Sequence, residues 1–181
     1  MEIKRENRCI LFDWGDTLMR VFPEFDGPMA AWPQVEAMPH ADQVLAELRT
    51  RSLLAVATNA ADSEEAEIRA ALDRVGLDKL LDRVYCYRKI GYKKPSKEFF
   101  EFILTDLGIE RSQAIMVGDD FEADVVGANK CGIRAIWYNP RTTERHVNDM
   151  HQTIHDLRSL PGMLDSFWNP IEPSRRESWL A

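Results

Sequence analysis

Only three cysteines occur in 181 residues, Cys9, Cys86 and Cys131, and they lie far apart with no CxxC spacing. Buried thiols are therefore expected in preference to a disulfide or a zinc site. No apolar run approaches the roughly 20 residues needed to cross a bilayer, and the charged stretch from Met1 to Arg8 is not followed by a signal-peptide core. A cytoplasmic protein with no membrane partner is therefore expected. Lysine and arginine nowhere gather into a stripe, and the formal net charge is −7, which argues against a nucleic-acid partner. The four histidines, His40, His146, His151 and His155, show no metal-ligand spacing. Internal repeats and low-complexity linkers are also missing.

What is present is an ordinary globular composition, 45% apolar and 29% charged, in a chain long enough to bury a substantial core. One domain over 1–168 is expected, with a tail over 169–181. Apolar runs alternate with helical periodicity, the pattern of a parallel α/β sheet. Strands are expected at Cys9–Phe12, Leu53–Ala57, Val84–Tyr87, Ala114–Val117 and Arg134–Tyr138. Between them, Ala41, Val44, Leu45 and Leu48 share one helical face. Asp62 with Glu65 reads as a capping pair for a helix carrying Ile68, Leu72 and Val75 and ending at Gly76. Lys94-Pro95-Ser96 opens a third helix carrying Phe99, Phe100, Ile103, Leu104 and Leu107, with Ser96 as its cap. Val125, Val126 and Ala128 suggest a fourth, ending near Gly132.

Polar residues stand where three of these strands stop: Asp13 after the first, Thr58-Asn59 after the second, Gly118-Asp119-Asp120 after the fourth, with Asp124 beyond. Ligands bind at the carboxyl ends of strands in open α/β sheets, and helix N-termini such as that near Lys94 share that rim. Taken singly, each residue has a commoner structural reading: a turn aspartate at Asp13, a strand-to-loop turn at Thr58, an exposed lysine at Lys94, a helix cap at Asp119-Asp120. Together, and in this order, they point to one site.

The ordered set resembles the haloacid dehalogenase superfamily of phosphohydrolases, from about Arg8 to Tyr138 and weakly on to Leu164. Its first motif matches at Asp13 and Thr17, its second at Thr58, its third at Lys94 with Pro95, its fourth at Asp119 and Asp124. The resemblance implies a Rossmann-like α/β fold: an open, mainly parallel sheet of five strands or slightly more, in the order 5-4-1-2-3, with helices on both faces. It also implies a phosphatase in which Asp13 is the nucleophile. Phosphoryl transfer to a carboxylate needs a divalent cation between the two anions, so Mg²⁺ is expected on Asp13, the Gly15 carbonyl and Asp119, with Asp124, or its rival Asp120, orienting them. Thr58 and Asn59 would bind the phosphate and Lys94 would meet its developing charge. Lids of this family are inserted after the first motif or the third strand. Here Arg20–Pro33 and Tyr87–Lys94 are too short to fold as a cap, which leaves the site open to a large phosphorylated substrate or covered by a second copy in a homodimer.

One departure matters. Where the family's phosphatases carry an acid/base aspartate, two residues after the nucleophile, this chain has Gly15, followed by Asp16. Asp16 replaces that acid, or the substrates have leaving groups that need none, or turnover is lost and the protein is a phosphate-binding or regulatory relative. A receiver domain is disfavoured, because its acidic pair sits on the first strand. Trp14 lines the site or packs under the next loop. In the tail region, Phe167, Trp168, Ile171 and Trp179 are expected to cover an apolar patch or join a dimer interface.

Overall fold

The computed structural model describes residues 7–168. Its centre is a fully parallel six-stranded sheet, ordered β3-β2-β1-β4-β5-β6. The strands are β1 (Cys9–Phe12), β2 (Leu53–Thr58), β3 (Arg83–Cys86), β4 (Ala114–Gly118), β5 (Arg134–Tyr138) and β6 (His151–Ile154). The helices are α1 (Ala41–Leu48), α2 (Glu65–Arg74), α3 (Tyr87–Ile90), α4 (Lys97–Leu107), α5 (Gly127–Lys130) and α6 (Leu160–Trp168).

Both sheet faces are apolar, so the period of two along each strand sorts side chains into two cores. Ile10, Phe12, Leu54, Val56, Ile115 and Val117 face α1, α2 and α6, which add Val44, Leu45, Ile68, Leu72 and Leu164. Their neighbours Cys9, Leu11, Ala55, Ala57, Ala114 and Met116 face α4 and α5, where Phe99, Phe100, Ile103 and Ala128 close the other side. Each fully buried large side chain contributes about 1.5–3 kcal/mol of transfer free energy. All three cysteines are buried and free.

Several boundaries differ from expectation for local reasons. The cap of α2 is made two residues later than the Asp62–Glu65 pair: Glu67 reaches back to accept from the Glu64 N–H at 2.8 Å, while Asp62 accepts from the Ser63 hydroxyl. The third strand stops at Cys86, because Tyr87 already starts α3, closed by Gly91 at φ 83°. Ser96 precedes α4 but its side chain makes no capping bond, and Pro95 stands outside the helix rather than in its first turn. After β4 the chain forms a π-helical turn, Phe121–Val126, before the short α5. The sixth strand, His-Gln-Thr-Ile, carries too little apolar signal to be read from sequence.

No large lid occurs among the described residues. Arg20–Pro33 is a docked loop with one 3₁₀ turn, Met29–Ala31, and an aromatic trio of Phe22, Phe25 and Trp32 at 5.7–6.4 Å. Arg74 of α2 fastens it by donating to the Ala30 and Trp32 carbonyls at 3.0 and 2.7 Å. Of the aromatic residues expected to cover an apolar patch or join a dimer interface, Phe167 packs into the core beside Arg134, which lies over its ring. Ile171, Trp179 and the rest of the tail over 169–181 lie outside the described residues.

Candidate active site

Parallel register brings the ends of β1, β2 and β4 to one rim. Asp13 extends β1 by one residue, its N–H donating to the Val117 carbonyl at 2.8 Å. Thr58 and Gly118 are the last residues of β2 and β4. Lys94 arrives from the loop before α4, and Asn59 fixes its backbone from both sides. The Asn59 amide donates to the Lys94 carbonyl at 2.9 Å and accepts from the Lys94 N–H at 2.8 Å. Asn59, expected to meet substrate, lines one cavity with Asp13 and Thr58, and its amide also aims Lys94.

The Lys94 ammonium is buried and donates to Asp13 Oδ1 at 2.7 Å and Asp124 Oδ1 at 2.6 Å. Burial opposes its charge, but Asp124 and Asp13 more than offset that and hold it above the ordinary lysine range. Burial likewise pushes the Asp124 carboxyl up, to about 7, against the pull of Lys94. Of the two aspartates that competed for this place, Asp124 joins the cluster. Asp120 accepts from the Ala123 N–H at 2.9 Å and begins the π-helical turn, while its own N–H donates to Asp124 Oδ2 at 3.1 Å. Gly118 makes room: a Cβ there would lie 2.0 Å from Asp124 Oδ2.

Asp119 completes the group, with one carboxylate oxygen from each of Asp13, Asp119 and Asp124 lying within 4.8 Å of one another. Three carboxylates against one ammonium leave excess negative charge. Burial, then Asp13 and Asp16, push the Asp119 carboxyl up to about 6. An all-oxygen donor set of this kind suits Mg²⁺. The Asp119 main chain is held on both sides, its N–H donating to Thr17 Oγ1 at 3.1 Å and its carbonyl accepting from the Trp137 indole at 2.9 Å. The Thr17 hydroxyl also lies 3.4 Å from Asp119 Oδ1. Trp137 escaped the sequence reading because it looked like one more apolar residue of β5.

A cavity of about 250 Å³ opens beside Asp13 and Thr58, walled by Trp14, Gly15, Val21, Met29 and Trp32. Trp14 is buried and its indole points at the Met19 sulfur, 3.2 Å away. Asp16 is not brought into this cavity. In a left-handed conformation, φ 56°, it accepts from the Val21 N–H at 3.0 Å and forms an ion pair with Arg141. It lines a neighbouring cavity of about 460 Å³ with Arg20, Phe22 and Tyr138. The histidines are dispersed into other contacts: His146 on Glu144, His151 on Asn129, His155 on the Asn139 carbonyl.

Residues 15–132 match the haloacid dehalogenase-like hydrolase family. Ribulose-1,5-bisphosphate 5-phosphatase of Halopiger xanaduensis is 30% identical over 140 residues, 70% of this chain and 57% of that protein. Phospholysine phosphohistidine inorganic pyrophosphate phosphatase of mouse is 37% identical over 135 residues, 75% of this chain and 47% of that one. The chain thus spans about half the length of the curated relatives it matches. A solved structure from Listeria monocytogenes serotype 4b, of a protein described as uncharacterized, superimposes with a TM-score of 0.77 at 29% identity, covering 88% of this chain and 98% of that one. With the family matched over 118 of the 181 residues, a span that includes β2, β3 and β4, and the strand-tip aspartates gathered as its motifs imply, this chain belongs to the haloacid dehalogenase-like hydrolases.

Proposed function

We propose that the protein is a Mg²⁺-dependent phosphatase acting through a phospho-Asp13 intermediate. The observation that carries this reading is the buried Lys94 ammonium set between Asp13 and Asp124, with Asp119 alongside. Asp13, Asp119 and Asp124, with the Gly15 carbonyl, would hold Mg²⁺, which when bound neutralises charge between phosphate and carboxylate. A carboxylate oxygen of Asp13 attacks phosphorus, forming an acyl phosphate as the ester P–O bond breaks and the leaving oxygen takes the electron pair. Lys94 balances charge on the phosphoryl oxygens, and the Thr58 hydroxyl holds one of them. Water then attacks phosphorus and the bond from phosphorus to the Asp13 oxygen breaks, its electron pair returning to the Asp13 carboxylate; the water's proton passes to solvent and inorganic phosphate leaves.

Protonating the leaving group is the weak step, since Gly15 has no side chain and Asp16 is committed to Arg141 and Val21. Substrates with weakly basic leaving groups, such as phenyl and acyl phosphates, are therefore favoured over alkyl esters. The same commitment favours a second reading, a phosphate-binding relative with little turnover. Hydrolysis of p-nitrophenyl phosphate with Mg²⁺ or with EDTA decides between them. Mg²⁺-dependent release that Asp13→Asn abolishes supports the enzyme; phosphate binding without release supports the alternative.

A further inference from the structure

We infer that Trp137 is a positioning residue for the metal site, acting through the main chain of Asp119; this rests on the Mg²⁺-dependent reading above. The Trp137 indole N–H donates to the Asp119 carbonyl at 2.9 Å, a contact made from β5, eighteen residues on in sequence. On the opposite side the Asp119 N–H donates to the buried Thr17 hydroxyl at 3.1 Å. The two peptide groups flanking the Asp119 Cα are thus each tied to a different strand or loop, and the carboxylate they aim is part of the Asp13–Asp119–Asp124 group. A ligand held at both of its peptides loses little freedom on binding a cation, so its affinity is higher than that of the same carboxylate on a loose turn.

The indole is itself held. Its ring packs edge-on against Phe121 at 5.2 Å and His146 at 5.2 Å, and Phe121 in turn lies 4.4 Å from the His146 ring. Phe121 follows Asp120 directly and opens the π-helical turn that carries Asp124. One aromatic group therefore reaches both the Asp119 peptide and the turn that presents Asp124. Packing alone would serve the turn; the directed N–H serves Asp119.

The test separates ring from N–H by comparing Trp137→Phe with Trp137→Ala. Mg²⁺ binding is read as the rise in Tm on adding Mg²⁺ to EDTA-treated protein, and as the Mg²⁺ concentration giving half-maximal p-nitrophenyl phosphate hydrolysis. Trp137→Phe is expected to weaken Mg²⁺ about three- to tenfold by both readouts, the size of one net hydrogen bond, with kcat at saturating Mg²⁺ changed less. Wild-type Mg²⁺ affinity in Trp137→Phe, with loss only in Trp137→Ala, would assign the ring to packing and overturn the inference. If either variant fails to fold, ¹⁵N-indole NMR of the wild-type protein decides. A slowly exchanging Trp137 indole proton whose resonance moves on Mg²⁺ addition supports it, and one that exchanges freely and ignores Mg²⁺ overturns it. Wild-type protein that shows neither a Tm rise nor rate dependence with Mg²⁺ would remove the proposed function itself, whereas normal wild-type binding with an unaffected Trp137→Phe removes only this inference.

Discussion

A methyl carbon of Val21, Cγ2, lies 2.9 Å from the point where a side chain on Gly15 would begin. The position at which related phosphatases carry an acid is thus filled by a residue six places later, brought there by the turn that Asp16 makes to the Val21 N–H.

Restoring that acid alone is therefore expected to fail. Gly15→Asp should raise alkyl phosphate turnover little or reduce it, because Val21 must move first. Gly15→Asp combined with Val21→Ala should raise it by about 10²-fold, the lower end of general acid–base catalysis. Steady-state rates on one alkyl ester for both variants check this; equal rates would show that Val21 is not the obstacle.

Asp16→Asn should slow alkyl and phenyl esters little and alike. Its carboxylate faces Arg141 and Val21, so it loses a partly exposed ion pair and no proton donor. Selective slowing of the alkyl ester by 10²- to 10⁴-fold would return Asp16 to the acid's role.

Lys94→Met should destabilise the metal-free protein by about 3 kcal/mol, since it strands the buried Asp124 carboxylate and removes the partner of Asp13. Urea unfolding in EDTA measures it. Turnover should fall below detection in the same variant.

The Asp119 carboxyl gives a pH dependence with a definite sign. Its folded value, about 6, stands above the ordinary aspartate value of 3.8. The native state therefore binds this proton more tightly than the unfolded chain does. The stability it contributes is complete below the unfolded value and is lost as pH rises through about 6. Mg²⁺ competes with that proton, so the Mg²⁺-induced rise in Tm should be larger at pH 7 than at pH 5. A Tm rise independent of pH would remove Asp119 from the ligand set.

How much of this was legible in the sequence follows from the range of the interactions concerned. A strand that is apolar on both faces and then stops at a polar residue announces its own tip, so Asp13, Thr58 and Asp119 could be placed on one rim from local patterning and parallel topology alone. The faces of α1, α2 and α4 were equally readable, because helical period depends only on near neighbours. Asp120 and Asp124 could not be ranked, since both follow the same strand; the choice turns on a buried ammonium thirty residues away in sequence and on the empty face of Gly118.

Asp16 next to a missing acid invited a catalytic reading, and only the turn geometry and Arg141, from the loop that follows β5, show where its carboxylate goes. Asn59 and Trp137 illustrate the same limit: each looked like a ligand contact or a core residue, and each spends its polar group on the backbone of another site residue. Sequence by itself determined five of the six strands, the rim they share and the identity of the charged residues there, because burial and periodicity act along the chain. Tertiary structure alone decided which carboxylates crowd around the buried Lys94 ammonium and which are neutralised elsewhere, because electrostatic partners are chosen by distance in space and by how far each is taken out of water.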